Sequence, residues 1–207
     1  MVEIRHFRVT DRDALYRICL ATGDAGKDAS HLYEDPELIG QVYAGGYAAL
    51  SPETIFVVED DEGVAGYIVG AADTRDFEAR LEALWWPALR ARYADPDEAA
   101  PHSPDARMRH LIHHPPHTPR RIADAYPAHL HINLLPRMQR RGLGRRLMAH
   151  WLEAVGAMGA TAAHLAVGTR NSRAVEFYRA CGFHEIERAA VPFDVITFGI
   201  AIQKETP

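Results

Sequence analysis

The alternation of apolar and polar residues along the chain predicts a series of strands. Residues 2–8 alternate strongly enough to form the first strand. The apolar runs 54–59 and 64–69 flank a turn that ends at Gly63, a pattern typical of an antiparallel hairpin. Further strands are predicted over 129–135, 161–167, 183–187 and 194–202, and we expect the first of these to be buried.

Helical periodicity predicts the elements between these strands. A helix is expected after the first strand, and residues 32–50 predict a second helical region whose far half is weakened by two glycines. Helical spacing also runs from Phe77 to Leu89, where Pro87 should kink that helix or start a new one. Asn171 can cap a short helix over residues 172–180. Together the elements indicate one mixed α/β domain.

The stretch before the predicted strand at 129–135 is irregular. Eight of the thirteen prolines lie between Pro87 and Pro127, and seven of the twelve histidines lie between His102 and His131. Such a stretch cannot be one long helix. We therefore expect short helices and loops inserted at this point, and inserted loops often shape a binding cleft.

Glycines and arginines gather in residues 134–147, directly after that strand. Gly142 and Gly144 are one residue apart, and five arginines lie within the ten positions 137–146. A helix start offers unpaired N–H groups and a partial positive charge, and glycines let a ligand approach the backbone. The stretch therefore predicts an anion site, typical of phosphate binding. An amphipathic helix follows, with one apolar face formed by Leu143, Leu147, Trp151, Leu152 and Val155.

Composition limits the class of protein. A chain of 207 residues with 47% hydrophobic content is expected to form one domain with a substantial core. Its net charge of −5 argues against nucleic acid or an anionic membrane as a partner, so the arginine cluster is a local feature. Two cysteines suggest no disulfide framework, and we find neither a signal peptide nor a membrane span. We expect a cytoplasmic protein. The sequence gives no oligomeric state, because no heptad repeat or isolated apolar stripe stands out.

Three phosphate-binding motifs can be compared with the glycine stretch. The nucleotide-triphosphate loop requires a lysine that is absent here, and the dinucleotide fingerprint requires a third glycine where Leu147 stands. The pattern Gln/Arg-x-x-Gly-x-Gly/Ala is satisfied by Gln139, Gly142 and Gly144. This short motif gains force from a second segment downstream, Asn-x-x-Ala-x-x-Phe-Tyr-x-x-x-Gly-Phe over residues 171–183.

These two segments closely resemble the GNAT superfamily of acetyl-CoA-dependent acyltransferases. In that family the first segment is the strand, pyrophosphate loop and helix, and the second is a helix beside the cofactor. The resemblance implies a single GNAT-type N-acetyltransferase domain over residues 1–207. Its central sheet would be mixed, mostly antiparallel and flanked by helices, with the Pro- and His-rich stretch inserted before the central strand.

A narrower resemblance concerns the acetyltransferase-like C-terminal domain of O-GlcNAcases. It rests on Asp28–Tyr33, Tyr67–Asp73 and Tyr126–Pro136, and it would make this chain a free-standing bacterial-type relative of that domain. The eukaryotic domain is a degenerate version whose cofactor loop has decayed, whereas the loop is intact here. The intact loop favours binding of acetyl-CoA and argues against carrying over the function of the eukaryotic protein.

The resemblance implies acetyl-CoA as the cofactor and assigns residues to it. Main-chain groups near Leu134 would pair with the pantetheine arm, and amides from Gln139 to Arg145 would hold the pyrophosphate. Four arginines are candidates for the adenosine 3′-phosphate, each with a solvated helix face as the alternative: Arg137, Arg140, Arg141 and Arg146. The cofactor-binding residues implied are Asn133, Leu134, Leu135, Gln139, Arg140, Arg141, Gly142, Leu143, Gly144, Arg145, Arg146, Asn171, Ala174, Phe177 and Tyr178.

Three residues are candidates for catalysis. Tyr178 stands where the family places a general acid, and a phenol of pKa near ~10 can protonate the departing thiolate; its alternative is a core tyrosine. The acceptor amine must lose a proton, and where many family members have a glutamate this chain has about Ala128 and His129. His129 and His131 share one face of the strand, and a neutral imidazole suits this role near pH 7. A histidine packed within the strand, or a base acting through water, is the alternative.

The acceptor and metal sites are less constrained by the sequence. Asp28, His31, Tyr33, Trp85, Trp86 and Tyr93 are candidates for acceptor binding, with a place in the core as the alternative for the aromatic residues. Histidines at positions 110, 113, 114 and 117 could suggest a metal site, but no cysteine lies nearby and two prolines interrupt the run. We therefore expect no metal.

The predicted function is direct transfer of an acetyl group to an amine acceptor, with Tyr178 as the general acid. The acceptor can be a small molecule or a protein amine. The alternative is a non-catalytic module that binds acetyl-CoA as a sensor or scaffold.

Overall fold

One twisted sheet forms the centre of the protein. The computed structural model describes residues 1–96, 102–190 and 194–203. Within these ranges seven strands form a single sheet in the order β1-β2-β3-β4-β5-β7-β6. The strands are β1 (Glu3–His6), β2 (Phe56–Asp60), β3 (Gly63–Ala71), β4 (Ala128–Leu134), β5 (Ala162–Gly168), β6 (His184–Ala189) and β7 (Val195–Ala201). The mixed α/β class and the hairpin formed by β2 and β3 are confirmed.

Helices cover both faces of the sheet. In the described part of the chain, no helix is both long enough and apolar enough to span a lipid bilayer. The helices are α1 (Arg12–Ala21), α2 (Leu38–Gly40), α3 (Gly46–Leu50), α4 (Thr74–Arg80), α5 (Trp86–Arg92), α6 (Pro104–His113), α7 (Arg120–Ala125), α8 (Leu143–Ala157) and α9 (Ser172–Ala180).

Two π-helical turns explain where the helix predictions needed adjustment. The predicted region 32–50 becomes helical only at Leu38, and a π turn over Gln41–Gly45 joins α2 to α3. Gly45 is required inside this helix because a Cβ there would collide with the Tyr16 hydroxyl and the Trp85 ring. A second π turn, Leu81–Trp85, joins α4 to α5, where Pro87 occupies the first turn of the new helix.

The apolar patterns of the sheet and helices produce a core on each face. On one face, α8 buries Leu143, Leu147, Trp151 and Val155, as its periodicity predicts, while Leu152 is only partly buried. On the other face, α1 packs against β3. The β3 side chains in this second core alternate along the strand with the β3 side chains that belong to the first core. Each fully buried aliphatic or aromatic side chain stabilises the fold by roughly 1.5–3 kcal/mol relative to an exposed one.

The pairing of β4 with β5 differs from every other pairing in the sheet. The remaining neighbours are antiparallel, whereas β4 and β5 are parallel and pair only at Ala128 with Ala163 and His129 with His164. Beyond these residues the two strands diverge. The facing edges of β4 and β5 are therefore left without a strand partner, in the middle of the sheet.

Candidate active site

A glutamine side chain fixes the loop that follows β4. The side-chain Nε2 of Gln139 donates a hydrogen bond to the Leu134 carbonyl at 2.8 Å. The Arg173 guanidinium, at the start of α9, donates to Oε1 of the same glutamine at 2.7 Å. The two segments singled out in the sequence are thus joined through one side chain.

The backbone of this loop presents free N–H groups at the start of α8. Arg140 and Gly142 both have left-handed backbone conformations, with φ of 59° and 74°. In the described part of the chain, none of the amides from Arg140 to Arg145 has a hydrogen-bond acceptor. Space is open around Gly142, where a Cβ would meet no atom within 4 Å. Consecutive free amides at a helix N-terminus bind anions.

The arginines around the loop have different environments. Arg137 is held by Asp60, with its Nε 2.9 Å from Oδ2, and the hydrogen bond from this arginine lowers the pKa of the Asp60 carboxyl. Arg137 is therefore already paired with a carboxylate. Arg140, Arg145 and Arg146 are exposed and form no ion pair with any described residue.

Helix α9 packs against the first turn of α8. The Asn171 side chain caps α9 by accepting a hydrogen bond from the Ala174 amide at 3.1 Å, as predicted. The Phe177 ring lies against Gly144, where an added Cβ would be 3.0 Å from Cε2. Gly144 thus allows the close approach of the two helices that bring the loop and α9 together.

Tyr178 is buried at the centre of this arrangement. Its ring contacts those of Phe177, Phe183 and Phe198, with centroids 5.4, 5.9 and 6.2 Å away. Burial raises the pKa of the Tyr178 hydroxyl above its usual value. The hydroxyl forms no hydrogen bond with any described residue. Its oxygen is nevertheless not one of the fully buried polar atoms that lack a partner. The raised pKa keeps this phenol protonated at neutral pH.

The two ring nitrogens of His129 are both occupied. The Thr74 hydroxyl donates to the Pro127 carbonyl at 2.7 Å, so its oxygen accepts from Nδ1–H of His129 at 2.8 Å. Nε2 then accepts the hydroxyl proton of Tyr47 at 2.8 Å. Burial lowers the pKa of His129 well below 6.5. This histidine is neutral and held in one tautomer.

His131 has a different environment on the same face of β4. Its ring lies edge-on to Tyr43 and Tyr47, with centroids 5.8 and 5.7 Å away. No described residue forms a hydrogen bond to its nitrogens, and burial lowers its pKa from 6.5 to about 4. His131 is therefore neutral near pH 7 and keeps a free lone pair.

A cleft of about 900 Å³ opens in front of these histidines. His164 of β5 also lines the cleft; its Nδ1 donates to the Tyr126 carbonyl at 2.7 Å, and burial lowers its pKa. The wall opposite the sheet is mainly apolar and aromatic. Lining residues from that wall include Tyr43, Tyr47, Phe77, Trp86, Leu111, Pro115 and Ile122.

Comparison with known proteins decides the family. The sequence matches the model of the acetyltransferase (GNAT) family over residues 26–183. The chain belongs to the GNAT acetyltransferase family. It is 26% identical over 198 residues to protein O-GlcNAcase of Rattus norvegicus and of Mus musculus. These matches cover 95% of this chain but only 22% of each relative's length, so the chain spans about a fifth of the curated relatives.

Solved structures agree with the family. The structure of SsHAT has a TM-score of 0.88 and 40% sequence identity, with 98% of this chain and 99% of that chain covered. The structure of yncA from Salmonella typhimurium, solved with its cofactor acetyl-CoA, has a TM-score of 0.56 and 13% sequence identity, with 100% of this chain and 96% of that chain covered. This likeness shows the fold alone. The GNAT fold, the acetyltransferase class, acetyl-CoA as the cofactor and the similarity to O-GlcNAcase are confirmed.

The loop of this GNAT chain has the features that a coenzyme A pyrophosphate requires. The amides from Arg140 to Arg145 have no acceptor among the described residues, and the space around Gly142 is open. The edge of β4 that ends at Leu134 has no strand partner toward β5, so it can pair with an extended chain such as pantetheine. The Asn133 side chain is engaged elsewhere, because it donates to the Thr22 hydroxyl.

Of the six residues predicted to bind the acceptor, only Trp86 lines the cleft. The Asp28 carboxylate accepts hydrogen bonds from the backbone and hydroxyl of Ser30, while His31 is exposed nearby. Tyr33 and Tyr93 pack in an apolar cluster that also contains Trp86 and Leu111, and Trp85 donates from its indole to the Gln41 carbonyl. The cleft is also lined by Tyr47, Thr74 and His164, which the sequence prediction did not name.

The sequence contains little that could have identified those three. They lie on separate elements, α3, α4 and β5, and none belongs to a short motif. Only His164 carries a usable signal, because a parallel register places it beside His129. That register depends on where β5 begins, which an apolar run defines only to within a few residues.

Proposed function

We propose that residues 1–207 form one GNAT-type domain that transfers an acetyl group directly from acetyl-CoA to a primary amine. The observation that supports this most is the position of the β4–β5 opening. The loop with the free amides directly follows β4, and the histidine-lined cleft includes Leu130 and His131 of β4 and Leu165 of β5. An acyl donor held along β4 would therefore face an amine entering through the cleft.

Bound acetyl-CoA supplies an acetyl group activated as a thioester. The amides from Arg140 to Arg145 would hold its pyrophosphate, and the exposed Arg140, Arg145 and Arg146 are the guanidinium groups free for the 3′-phosphate. Arg137 is a weaker candidate because Asp60 already binds it. Backbone positioning of this kind costs no rearrangement when the ligand binds.

Tyr178 would act as the general acid. Its raised pKa keeps the hydroxyl proton in place at neutral pH, so the proton is available when the carbon–sulfur bond breaks. The proton then passes from Oη to the departing sulfur. General acid catalysis of this kind contributes about 10²–10⁴-fold to the rate.

His131 would accept the proton that the attacking amine loses as the new carbon–nitrogen bond forms. It is the one of the two β4 histidines whose nitrogens bind no described residue. Its pKa of about 4 makes it a weak base, so the amine must enter uncharged. The apolar wall of the cleft favours the uncharged amine, because desolvation lowers the pKa of an amine.

His129 would be a positioning residue. Thr74 and Tyr47 occupy its two nitrogens, and the Tyr47 ring that it holds lies edge-on against His131. This arrangement keeps Tyr47 and His131 in fixed orientations along the wall of the cleft. The sequence prediction of a catalytic role for His129 is thereby refined to support of His131.

Calorimetry with acetyl-CoA, followed by turnover assays on a broad amine panel, tests the proposal. We expect one acetyl-CoA per chain and acetylation of at least one primary amine. Absence of binding at millimolar acetyl-CoA would disprove a role as an acetyl-CoA enzyme. Binding without acetylation of any amine would favour the sensor or scaffold function.

A further inference from the structure

A cluster of metal-binding side chains lies at the C-terminal end of α6, among residues that the proposed mechanism does not use. Asp95, His110 and His114 each offer one ligand atom, and these atoms all lie within 4.8 Å of one another. His114 Nε2 is 2.7 Å from Asp95 Oδ2, and the rings of His110 and His114 have centroids 4.6 Å apart. Two imidazoles and a carboxylate thus converge on one point.

His110 provides an independent sign that a ligand is missing. Its Nδ1 is buried, and no described residue forms a hydrogen bond with it. Leaving a buried polar atom unsatisfied is unfavourable, and such atoms are rare in native proteins. His113 supports the same region by forming a 2.7 Å hydrogen bond through Nε2 to the Tyr93 carbonyl. The end of α6 is therefore held against the segment that carries Asp95.

We propose that His110, His114 and Asp95 bind one divalent transition metal ion, with Zn²⁺ the best fit. Neutral imidazole and carboxylate are common zinc ligands, with water as the usual fourth ligand of a three-residue site. At zinc–ligand distances of about 2.0–2.2 Å, tetrahedral ligand atoms stand roughly 3.3 Å apart. The His114 and Asp95 ligand atoms now lie 2.7 Å apart. Both residues are exposed, so their side chains can move apart to the spacing of a tetrahedral site.

The position of this site gives the metal a structural role beside the cleft. Leu111 of α6 and the following Pro115 and Pro116 line the cleft wall. A metal bound by His110 and His114 would fix the end of α6 from which this wall continues. The site involves neither the acetyl-CoA loop nor Tyr178, so it stands or falls independently of the proposed acetyl transfer.

The test measures Zn²⁺ binding to the full chain prepared without a polyhistidine tag. Calorimetry should give one Zn²⁺ per chain, and Co²⁺ in its place should give the visible absorption of a tetrahedral site. Mutating a residue that only hydrogen-bonds to a metal ligand lowers metal affinity about 10–100-fold. H114A and D95N change the proposed ligands themselves, so each should lower Zn²⁺ affinity by at least that factor. His150 is exposed on α8, and H150A should bind as the parent does.

The exposed position of Asp95 makes D95N a safe variant, because it leaves the core untouched. Circular dichroism of each metal-free variant separates loss of a ligand from loss of folding. Absence of saturable binding by the parent would overturn the proposal. Parent-like affinity in both D95N and H114A, or equal loss in H150A, would overturn it as well.

Discussion

The two halves of the candidate active site are built in different ways. The acetyl-CoA half consists of one continuous stretch, residues 134–147, braced by the neighbouring helix α9. The cleft half draws its lining from α3, α4, α5, β4 and β5 and from the segment after α6. The first depends on backbone conformation at a few positions, and the second on the packing of side chains that are remote in sequence.

Their electrostatics differ in the same way. The loop offers free amides and exposed guanidinium groups, which suit a multiply charged anion. The cleft offers two neutral histidines of β4 and four carboxylates that already have protein partners: Glu78, Glu82, Glu187 and Asp194. We infer that the loop determines whether acetyl-CoA binds, whereas the cleft determines which amine reacts. Four substitutions test this division.

The largest effect is expected at Gly142. G142E places a carboxylate beside the pyrophosphate at a position with φ of 74°, and both the charge and the left-handed backbone oppose binding. Acetyl-CoA binding measured by calorimetry should be abolished. Gly159 provides a matched control, since it also has a positive φ of 97° and open space around it. G159E should carry similar backbone strain and keep its affinity; equal loss in both variants would place the phosphates elsewhere.

The next effect concerns Tyr178, the proposed general acid on α9. Y178F removes only the hydroxyl, so we expect turnover to fall by about 10²–10⁴-fold while acetyl-CoA affinity stays nearly unchanged. Steady-state kinetics and calorimetry on the same preparation measure both quantities. Tyr126 is the control, because its hydroxyl bonds to His184 outside the loop and Y126F should retain turnover. Parent-like turnover in Y178F would remove the tyrosine from the acid role.

A smaller effect, on stability, should report the burial of His131. Because burial lowers its pKa from 6.5 to about 4, the unfolded chain binds more protons between those pH values. The free energy of unfolding should therefore fall as pH drops from about 6.5 toward 4, by up to roughly 3 kcal/mol from this residue. Urea unfolding of H131Q should show a weaker pH dependence, and H150Q should not. An unchanged slope in H131Q would show that His131 is solvated.

The difference between the halves also explains what the sequence could predict. The start of α8 after Gly142 and the α9 cap at Asn171 were predicted correctly because they follow from local rules: a helix N-terminus beside a glycine of positive φ, and a side-chain cap. The faces of α8 were equally predictable, since a period of 3.6 specifies which side is buried.

The cleft could not be predicted because its residues become neighbours only through the π turns and the β4–β5 register. Trp85 and Trp86 are adjacent in sequence and equally aromatic, yet the restart of the helix at Trp86 directs only the second into the cleft. The histidine run near α6 suggested a metal site in the sequence, but the run does not include the proposed carboxylate ligand, because Asp95 lies outside it.

The smallest effect is expected at the two adjacent tryptophans, and it tests most directly which residues belong to the cleft half. Trp86 is buried and lines the cleft, whereas Trp85 packs between helices and donates to the Gln41 carbonyl. Aromatic contacts contribute about 0.5–1.5 kcal/mol beyond area burial, so W86F should raise KM for the best amine of the panel by up to about tenfold. Acetyl-CoA affinity should not change. W85F should leave KM unchanged despite losing its hydrogen bond, because its ring does not reach the cleft; the reverse result would return Trp85 to the acceptor site that the sequence predicted.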